Sequence, residues 1–209
     1  HPAASQKDIG YLLSTLNEVL NTPLHYSDIV GVYAGLRPLL TGESEKTSKL
    51  SREHAVSVPA PGLVSISGGK YTTYRIMAAD TIDAVGIDQN LDLQASGTAS
   101  VPLIGAVGYH KVRSQAEKIS QVTGLSLKVI NHLISRHGDR IDEILDLISV
   151  DPELGEPLAS DHPYLRAEVI HAVRNEAALH LEDVLTRRTR LSVETRDRGT
   201  ESAREVAEL

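Results

Sequence analysis

The sequence predicts an α+β amino-terminal part followed by an all-α carboxy-terminal domain. Two short runs in which apolar and polar residues alternate flank Pro61-Gly62, a pattern typical of an antiparallel hairpin. From about residue 109 onward, apolar residues recur at the three- and four-residue spacing of amphipathic helices. We therefore predict the end of a first domain at residues 1–88, a Gly-, Ser- and Pro-bearing linker at 89–108 and a helical domain at 109–209.

Composition excludes several classes of protein. The chain has 209 residues, which is enough to bury a sizeable core. It contains no Cys, so disulfides and thiolate chemistry are excluded. The formal net charge of −7 argues against a nucleic-acid partner, because phosphate neutralisation needs a basic surface. No apolar run approaches the roughly 20 residues that span a bilayer.

Besides the hairpin, two helices, a strand and a loop are predicted for the first part. Residues 9–20 place apolar side chains at helical spacing, and Ile29–Tyr33 has the continuous apolar character of a buried strand. The polar stretch Thr41–Leu50 has no periodicity and predicts an exposed loop. After the hairpin, we expect a helix with Thr72 or Thr73 as its N-cap, because a threonine hydroxyl can accept a bond from a free helix N–H.

In the second part, apolar spacing predicts helices over residues 141–148 and 165–177. Asp139 is expected to cap the first helix. Asp161, which is followed by a proline two residues later, is expected to begin the second. The highly charged tail from Arg196 is expected to fray.

The densest signal for chemistry is the run Gly68–Arg75, where the hairpin gives way to the helix. Glycines let a backbone approach a ligand closely, and a helix start offers free N–H groups and positive potential, so the geometry suits an anion beside Lys70. A nucleotide P-loop is excluded, because Val64 stands where its first glycine is needed and Tyr71 follows the lysine. A plain Gly-Gly turn with a solvated lysine and a helix start placed against a flavin pyrimidine edge both stay open.

Two arginines are further candidates. Pro38 forces Arg37 into extended geometry after a predicted strand, where a guanidinium suits bidentate recognition of phosphate or carboxylate. A structural ion pair with a nearby acid is the alternative. Arg52 offers a second anion contact, unless Glu53 neutralises it, and we expect His54 to be a packed or exposed side chain rather than a catalytic one.

Neither the other histidines nor the basic run near the end predicts a special site. His132 and His137 are five residues apart, so they are poorly aligned on one helix face, and no His-Glu-x-x-His occurs. We expect no metal ligands. Residues 182–190 place arginines after an acidic pair, which favours charge pairing at a helix end. A partner domain or anionic lipid is the alternative.

Three patches together resemble the FAD-dependent glycerol-3-phosphate dehydrogenases. They occur in order along the chain: Tyr33–Leu39, Ser51–His54, and Ser67–Arg75 followed by Met77-Ala78. The run Gly-Gly-Lys-Tyr-Thr-Thr-Tyr-Arg is the most specific of them. Residues 103–106 and 182–191 are similar to the helical region of the same family, so the resemblance covers essentially the whole chain.

The resemblance implies oxidation of sn-glycerol 3-phosphate to dihydroxyacetone phosphate, with electrons passed through FAD to a membrane quinone. It implies that Arg37 and Lys70 hold the substrate phosphate, and that Arg52, the catalytic candidate, contacts the glycerol end. The residues implied to line the flavin are Gly68, Gly69, Lys70, Tyr71 and Thr72.

The Gly-x-Gly-x-x-Gly unit with which the family begins is absent from this sequence. The resemblance therefore implies a carboxy-terminal portion whose partner is an upstream FAD-binding domain of the same polypeptide. We expect the chain alone to be inactive and to retain no FAD. The implied location is cytoplasmic and peripheral to the inner face of the membrane, with a membrane surface and a homodimer as further contacts.

Two alternatives stay open. One is a separable helical module for dimerisation or membrane docking. The other is a flavoprotein acting on a small hydroxy or amino acid, whose carboxylate Arg37 would hold in place of a phosphate.

Overall fold

The computed structural model describes residues 2–36, 40 and 53–209. The predicted loop Thr41–Leu50 and the candidate residues Arg37 and Arg52 lie outside these residues. The chain divides into two compact units, one formed by residues 3–34 with 102–209 and the other by residues 35–101. The three-segment division predicted from the sequence, with boundaries at 88 and 108, stays a prediction.

The smaller unit is built on the predicted hairpin. Strands β1 (His54–Ala60) and β2 (Leu63–Gly68) are antiparallel, and His54 is paired with Gly68. The register is regular as far as Ser57 and then shifts, at the point where Pro59 removes a backbone donor.

Helix α2 (Tyr74–Asp88) packs against both strands and is tied to each end of the hairpin. The Asp80 carboxylate lies 2.7 Å from Nε2 of His54, and the Asp88 carboxylate accepts a 2.9 Å hydrogen bond from the backbone N–H of Gly62. Thr73 is the N-cap residue, one of the two predicted positions, although its hydroxyl makes no hydrogen bond to an N–H of the helix. The hairpin and the helix after it are therefore confirmed, and His54 has a structural partner.

In the larger unit, α1 (Gln6–Asn17) begins at a capping box formed by Ser5 and Asp8. The predicted buried strand Ile29–Tyr33 is wrong, since these residues have no regular structure and Tyr33 is 77% exposed. An apolar run forms a strand only when a neighbour supplies hydrogen bonds, and no strand pairs with it among the residues that the structure describes.

The rest of the larger unit is helical, as predicted. Its helices are α3 (Tyr109–Ser114), α4 (Ala116–Thr123), α5 (Leu127–His137), α6 (Ile141–Val150), α7 (Arg166–Asn175), a π-helical segment (Asp183–Arg188), α8 (Leu191–Glu194) and α9 (Thr200–Glu208). They enclose two buried apolar clusters. One contains Ile130, Leu133, Ile134, Ile141 and Ile144, and the other contains Leu158, Tyr164, Val169, Leu191 and Val206. The α+β part followed by a helical domain is the fold class that the sequence predicted.

Three local predictions for this domain are wrong. Asp139 does not cap α6, because its carboxylate accepts a 2.8 Å hydrogen bond from the N–H of Gly108. Helix α7 begins after Leu165 rather than near Asp161, and Glu168 accepts the N–H of Leu165. The charged tail does not fray, because its few apolar residues are placed on one side of α9 and Val206 is buried.

None of the helices in the described part of the chain is both long enough and apolar enough to cross a membrane.

Candidate functional site

The glycine pair at the end of β2 is explained by the backbone conformation of both residues and, at Gly68, also by packing against the backbone. Gly68 and Gly69 both have φ of +77°, a conformation that favours glycine. A Cβ on Gly68 would lie 2.5 Å from the carbonyl oxygen of Glu53, and one on Gly69 would lie 2.4 Å from Sδ of Met77. The sequence suggests that these glycines allow a ligand to approach closely. The structure explains both of them without a ligand.

Lys70 leaves this turn at the surface. Its backbone N–H donates to the Thr73 hydroxyl over 3.1 Å, and that hydroxyl donates to the carbonyl of Lys70 over 3.0 Å. The Thr73 side chain therefore fixes the backbone of Lys70, while the Lys70 side chain is exposed. A single turn of 3₁₀ helix, Tyr71–Thr73, leads into α2.

The residues after Lys70 are equally open. Tyr71 is 90% exposed and its ring centroid lies 5.9 Å from that of Tyr74. The first N–H groups of a helix have no acceptor within the helix, so the start of this one carries positive potential. An exposed ammonium, an exposed phenol ring and a helix start therefore share one surface. The structure brings together five predicted site residues (Gly68, Gly69, Lys70, Tyr71 and Thr72), while Arg37 and Arg52 lie outside the described residues.

A second polar cluster, which the sequence did not indicate, lies inside the helical domain around Glu168. This side chain is 97% buried and lies 3.1 Å and 3.3 Å from Nε2 of His132 and His137, respectively. Arg136 lies 3.4 Å from the same carboxylate. Burial alone would raise the pKa of Glu168, but the hydrogen bonds from the two histidines and from the Leu165 N–H outweigh it and lower this pKa to about 2.

His171 extends this cluster towards the surface. Its Nε2 lies 2.9 Å from the carboxylate of Glu143, and its ring is 5.0 Å from that of His137. Burial, followed by the charge of His137, lowers the pKa of His171. Its Nδ1 is buried and has no hydrogen-bond partner among the described residues; the carboxylate of Glu176 lies 3.9 Å away. Each histidine is far along the sequence from the glutamate that it contacts, by 36, 31 and 28 positions for His132, His137 and His171. Spacing along the sequence therefore gave no signal for the cluster.

The arginines of the late basic run pair within the chain, as predicted for a helix end. Arg187 lies 3.0 Å from Asp183, Arg188 lies 3.4 Å from Glu176, and Arg190 lies 3.4 Å from Glu194.

The described residues thus form an α+β unit, with an exposed lysine at the start of its helix, and a helical domain. Residues 96–209 match the family described as the C-terminal domain of alpha-glycerophosphate oxidase. The chain belongs to this family.

Its relatives are glycerol-3-phosphate dehydrogenases. The chain is 53% identical over 209 residues to glycerol-3-phosphate dehydrogenase 2 of Mycobacterium tuberculosis and 51% identical to glycerol-3-phosphate dehydrogenase of Mycobacterium leprae. It is 33% identical over 216 residues to the human mitochondrial glycerol-3-phosphate dehydrogenase. Each alignment covers 100% of this chain, but only 36%, 36% and 29% of the respective relatives. The chain therefore spans about a third of their length.

A solved structure has the same fold. The glycerol-3-phosphate dehydrogenase of Bacillus halodurans, complexed with FAD, superimposes with a TM-score of 0.71 and 22% identity. The match covers 100% of this chain and 45% of that chain.

Proposed function

We propose that this chain forms part of the substrate and flavin site of an FAD-dependent dehydrogenase that oxidises sn-glycerol 3-phosphate to dihydroxyacetone phosphate. The observation that carries the proposal is the surface at Lys70, where an exposed ammonium stands beside the start of α2. Family membership and the 53% identity to a glycerol-3-phosphate dehydrogenase support the choice of reaction.

Lys70 and Arg37 are proposed to hold the substrate phosphate, since a dianion is best bound by two separate cations. Arg52 is proposed to contact the glycerol end. The Thr73 hydroxyl supports this role for Lys70, because it holds the lysine backbone in place while the side chain is free to reach an anion.

The residues at the turn also fit a flavin. The space beside Gly68 and Gly69 is occupied by other atoms of the chain. The surface open to a cofactor therefore begins at Lys70 and continues over Tyr71 and Thr72. The backbone N–H groups of Tyr71 and Thr72, at a positive helix end, would stabilise negative charge on a flavin ring. FAD, when bound, supplies the acceptor of the two electrons, and quinone is proposed as the next acceptor.

The upstream FAD-binding domain, the inner membrane face and a second subunit are proposed partners on the same family grounds. Alone, the 209-residue chain is expected to retain no flavin and to be inactive, because it has no dinucleotide-binding glycine motif. Flavin absorbance at stoichiometric occupancy in the purified chain would contradict this expectation.

The test joins this chain to the preceding segment of its 53%-identical mycobacterial relative and measures dye-linked oxidation of glycerol 3-phosphate. Losing a charged phosphate contact costs about 1.5–3 kcal/mol, so Lys70→Ala should lower kcat/KM by roughly 10- to 150-fold with bound flavin unchanged. Lys118→Ala, at an exposed position on α4, is the matched control. Equal activity of the two variants would make Lys70 a solvated surface residue.

The separable helical module is the second candidate. It is favoured by the location of both apolar clusters, whose buried members all lie between residues 116 and 206. Among the described residues of the smaller unit, only Gly68 and Gly86 are buried. The helical domain therefore has a core of its own, which a docking module needs.

A further inference from the structure

The helical domain brings together two histidines and a glutamate. One of the histidines is more than 30 positions away from the other two residues in the sequence. The groups that ligate metals, one atom each from His137, His171 and Glu176, lie within 4.8 Å of one another. His137 ends α5, His171 lies on α7, and Glu176 is the C-cap residue that follows α7. The packing of α5 against α7 therefore builds a constellation that the sequence spacing does not contain.

The carboxylate of Glu143 determines which nitrogen of His171 can bind a metal. The Glu143 carboxylate lies 2.9 Å from Nε2 of His171 and can only accept, so Nε2 carries the ring hydrogen. The lone pair of a neutral ring is then on Nδ1. This is the atom that is buried, has no hydrogen-bond partner among the described residues, and lies 3.9 Å from Glu176.

A carboxylate fixes the tautomer of His137 as well. Its Nε2 lies 3.3 Å from the buried carboxylate of Glu168, which leaves Nδ1 as its acceptor nitrogen. A histidine that binds a metal usually donates its other N–H to a carboxylate, which fixes the ring and increases its basicity. Both histidines of this group have such a carboxylate, and both side chains are more than 90% buried.

We propose that His137, His171 and Glu176 form a binding site for a divalent first-row transition metal of the Zn²⁺ class. Two imidazoles and one carboxylate are a ligand set that these ions prefer, with the remaining position left for water. The proposal rests on the helical domain alone and is independent of the proposed dehydrogenase function.

The three ligand atoms, which lie within 4.8 Å of one another, must move closer together on binding. Bonds of about 2.0–2.2 Å to Zn²⁺ bring tetrahedral ligand atoms to roughly 3.4 Å apart. The 3.9 Å between His171 and Glu176 is already close to that value. Glu176 is half-buried at the end of its helix, so its side chain can close on an ion and an ion can enter from solvent.

The surrounding charges determine which ions bind. Arg188 lies 3.4 Å from Glu176, Arg136 lies 3.4 Å from Glu168, and Arg140 is paired with Glu143. Because each carboxylate already has a cation beside it, simple charge attraction for an ion is weak. Binding then depends on the two imidazoles, so Mg²⁺ and Ca²⁺, which prefer oxygen ligands, should not bind.

The experiment titrates the chelator-treated 209-residue chain with Zn²⁺, following heat by calorimetry, and with Co²⁺, following its visible absorption. We expect one ion per chain, the absorption of a four-coordinate site, and no response to Mg²⁺. Glu176→Gln and His171→Gln should abolish stoichiometric binding. Glu143→Gln, which leaves all three ligands in place, should weaken binding about 10- to 100-fold.

His180→Gln is the matched control, because the His180 side chain is 81% exposed and pairs only with Asp183 among the described residues. It should leave binding unchanged. Circular dichroism establishes whether each variant is folded. If the His171 variant does not fold, the Glu176 variant still tests the proposal, because Glu176 is only half-buried. Wild-type chain that binds no Zn²⁺ at micromolar concentrations would overturn the proposal, as would full binding by Glu176→Gln.

Discussion

Gly138 packs directly against the backbone of Gly105 in the helical domain. The N–H of Asp139 donates to the carbonyl oxygen of Gly105 over 3.0 Å, and a Cβ built on Gly138 would lie 2.0 Å from that oxygen. The Asp139 carboxylate also accepts the N–H of Gly108. The turn between α5 and α6 is thereby joined to the segment that precedes α3, which explains why glycine stands at both positions.

Gly138→Ala should therefore destabilise the helical domain severely. Its φ of +61° disfavours a side chain, and the carbonyl that a Cβ would meet belongs to rigid backbone. Strain and overpacking together should cost at least about 3 kcal/mol. Urea unfolding followed by circular dichroism measures the change.

Gly124→Ala is the control for this prediction. Gly124 also has a positive φ, +76° with ψ of −5°, and nothing lies within 4 Å of the added Cβ. It should cost only the backbone strain, about 1–2 kcal/mol. Equal losses in the two variants would mean that neither the contact with Gly105 nor the different ψ of Gly138, −131°, adds to the cost of its side chain.

Glu168→Gln should destabilise the domain and change its response to acid. The neutral amide cannot match the buried carboxylate that pairs with His132 and His137, so we expect a loss of about 2–4 kcal/mol at pH 7. The exposed Glu117→Gln on α4 should change stability by less than about 0.5 kcal/mol.

The acid response follows from the lowered pKa of Glu168. The folded value of about 2 lies below the ordinary value of 4.5, so its contribution is present above pH 4.5 and is lost as pH falls towards 2. Urea unfolding in EDTA at pH 6, 4 and 3 should show a steeper loss in the wild type than in Glu168→Gln. Parallel curves would show that this carboxylate is not the group that titrates.

Local patterns in the sequence predicted the elements whose partners are adjacent along the chain. The hairpin at Pro61-Gly62, the helix after Thr73, and helices α6 and α7 depend on alternation or helical spacing within one short segment. The strand predicted at Ile29–Tyr33 failed, because strand formation depends on a neighbour and not on the run itself.

The candidate sites divide in the same way. Lys70 and its helix start form one continuous segment, so the sequence could indicate them. The cluster around Glu168 joins residues on α5 and α7 that are 31 and 36 positions apart. Only tertiary packing brings them together. The assignment of Arg37, Lys70 and Arg52 to substrate stays a prediction.

Val206→Ala tests whether the charged tail is part of the folded domain. Val206 is 6% exposed and belongs to the cluster that includes Leu158 and Leu191, so removing its two methyl groups should cost about 1–3 kcal/mol. Val150→Ala, at a position that is 86% exposed, should be nearly neutral. Two neutral results in thermal unfolding would mean that α9 detaches in solution.

Limited trypsin digestion tests whether the helical domain is separable. Lys70 and Arg75 lie in a unit whose described residues are almost all accessible, whereas Arg136 and Arg140 lie between the fully buried Ile134 and Ile141. Proteolysis requires local opening, and opening is rarest where the core is best packed. Within the described part of the chain, the first cuts found by mass spectrometry should therefore be at Lys70 and Arg75, leaving a resistant fragment that contains residues 102–209. Equally early cuts at Arg136 and Arg140 would show that the helical domain depends on the rest of the protein for its stability, and would remove the separable module as an alternative function.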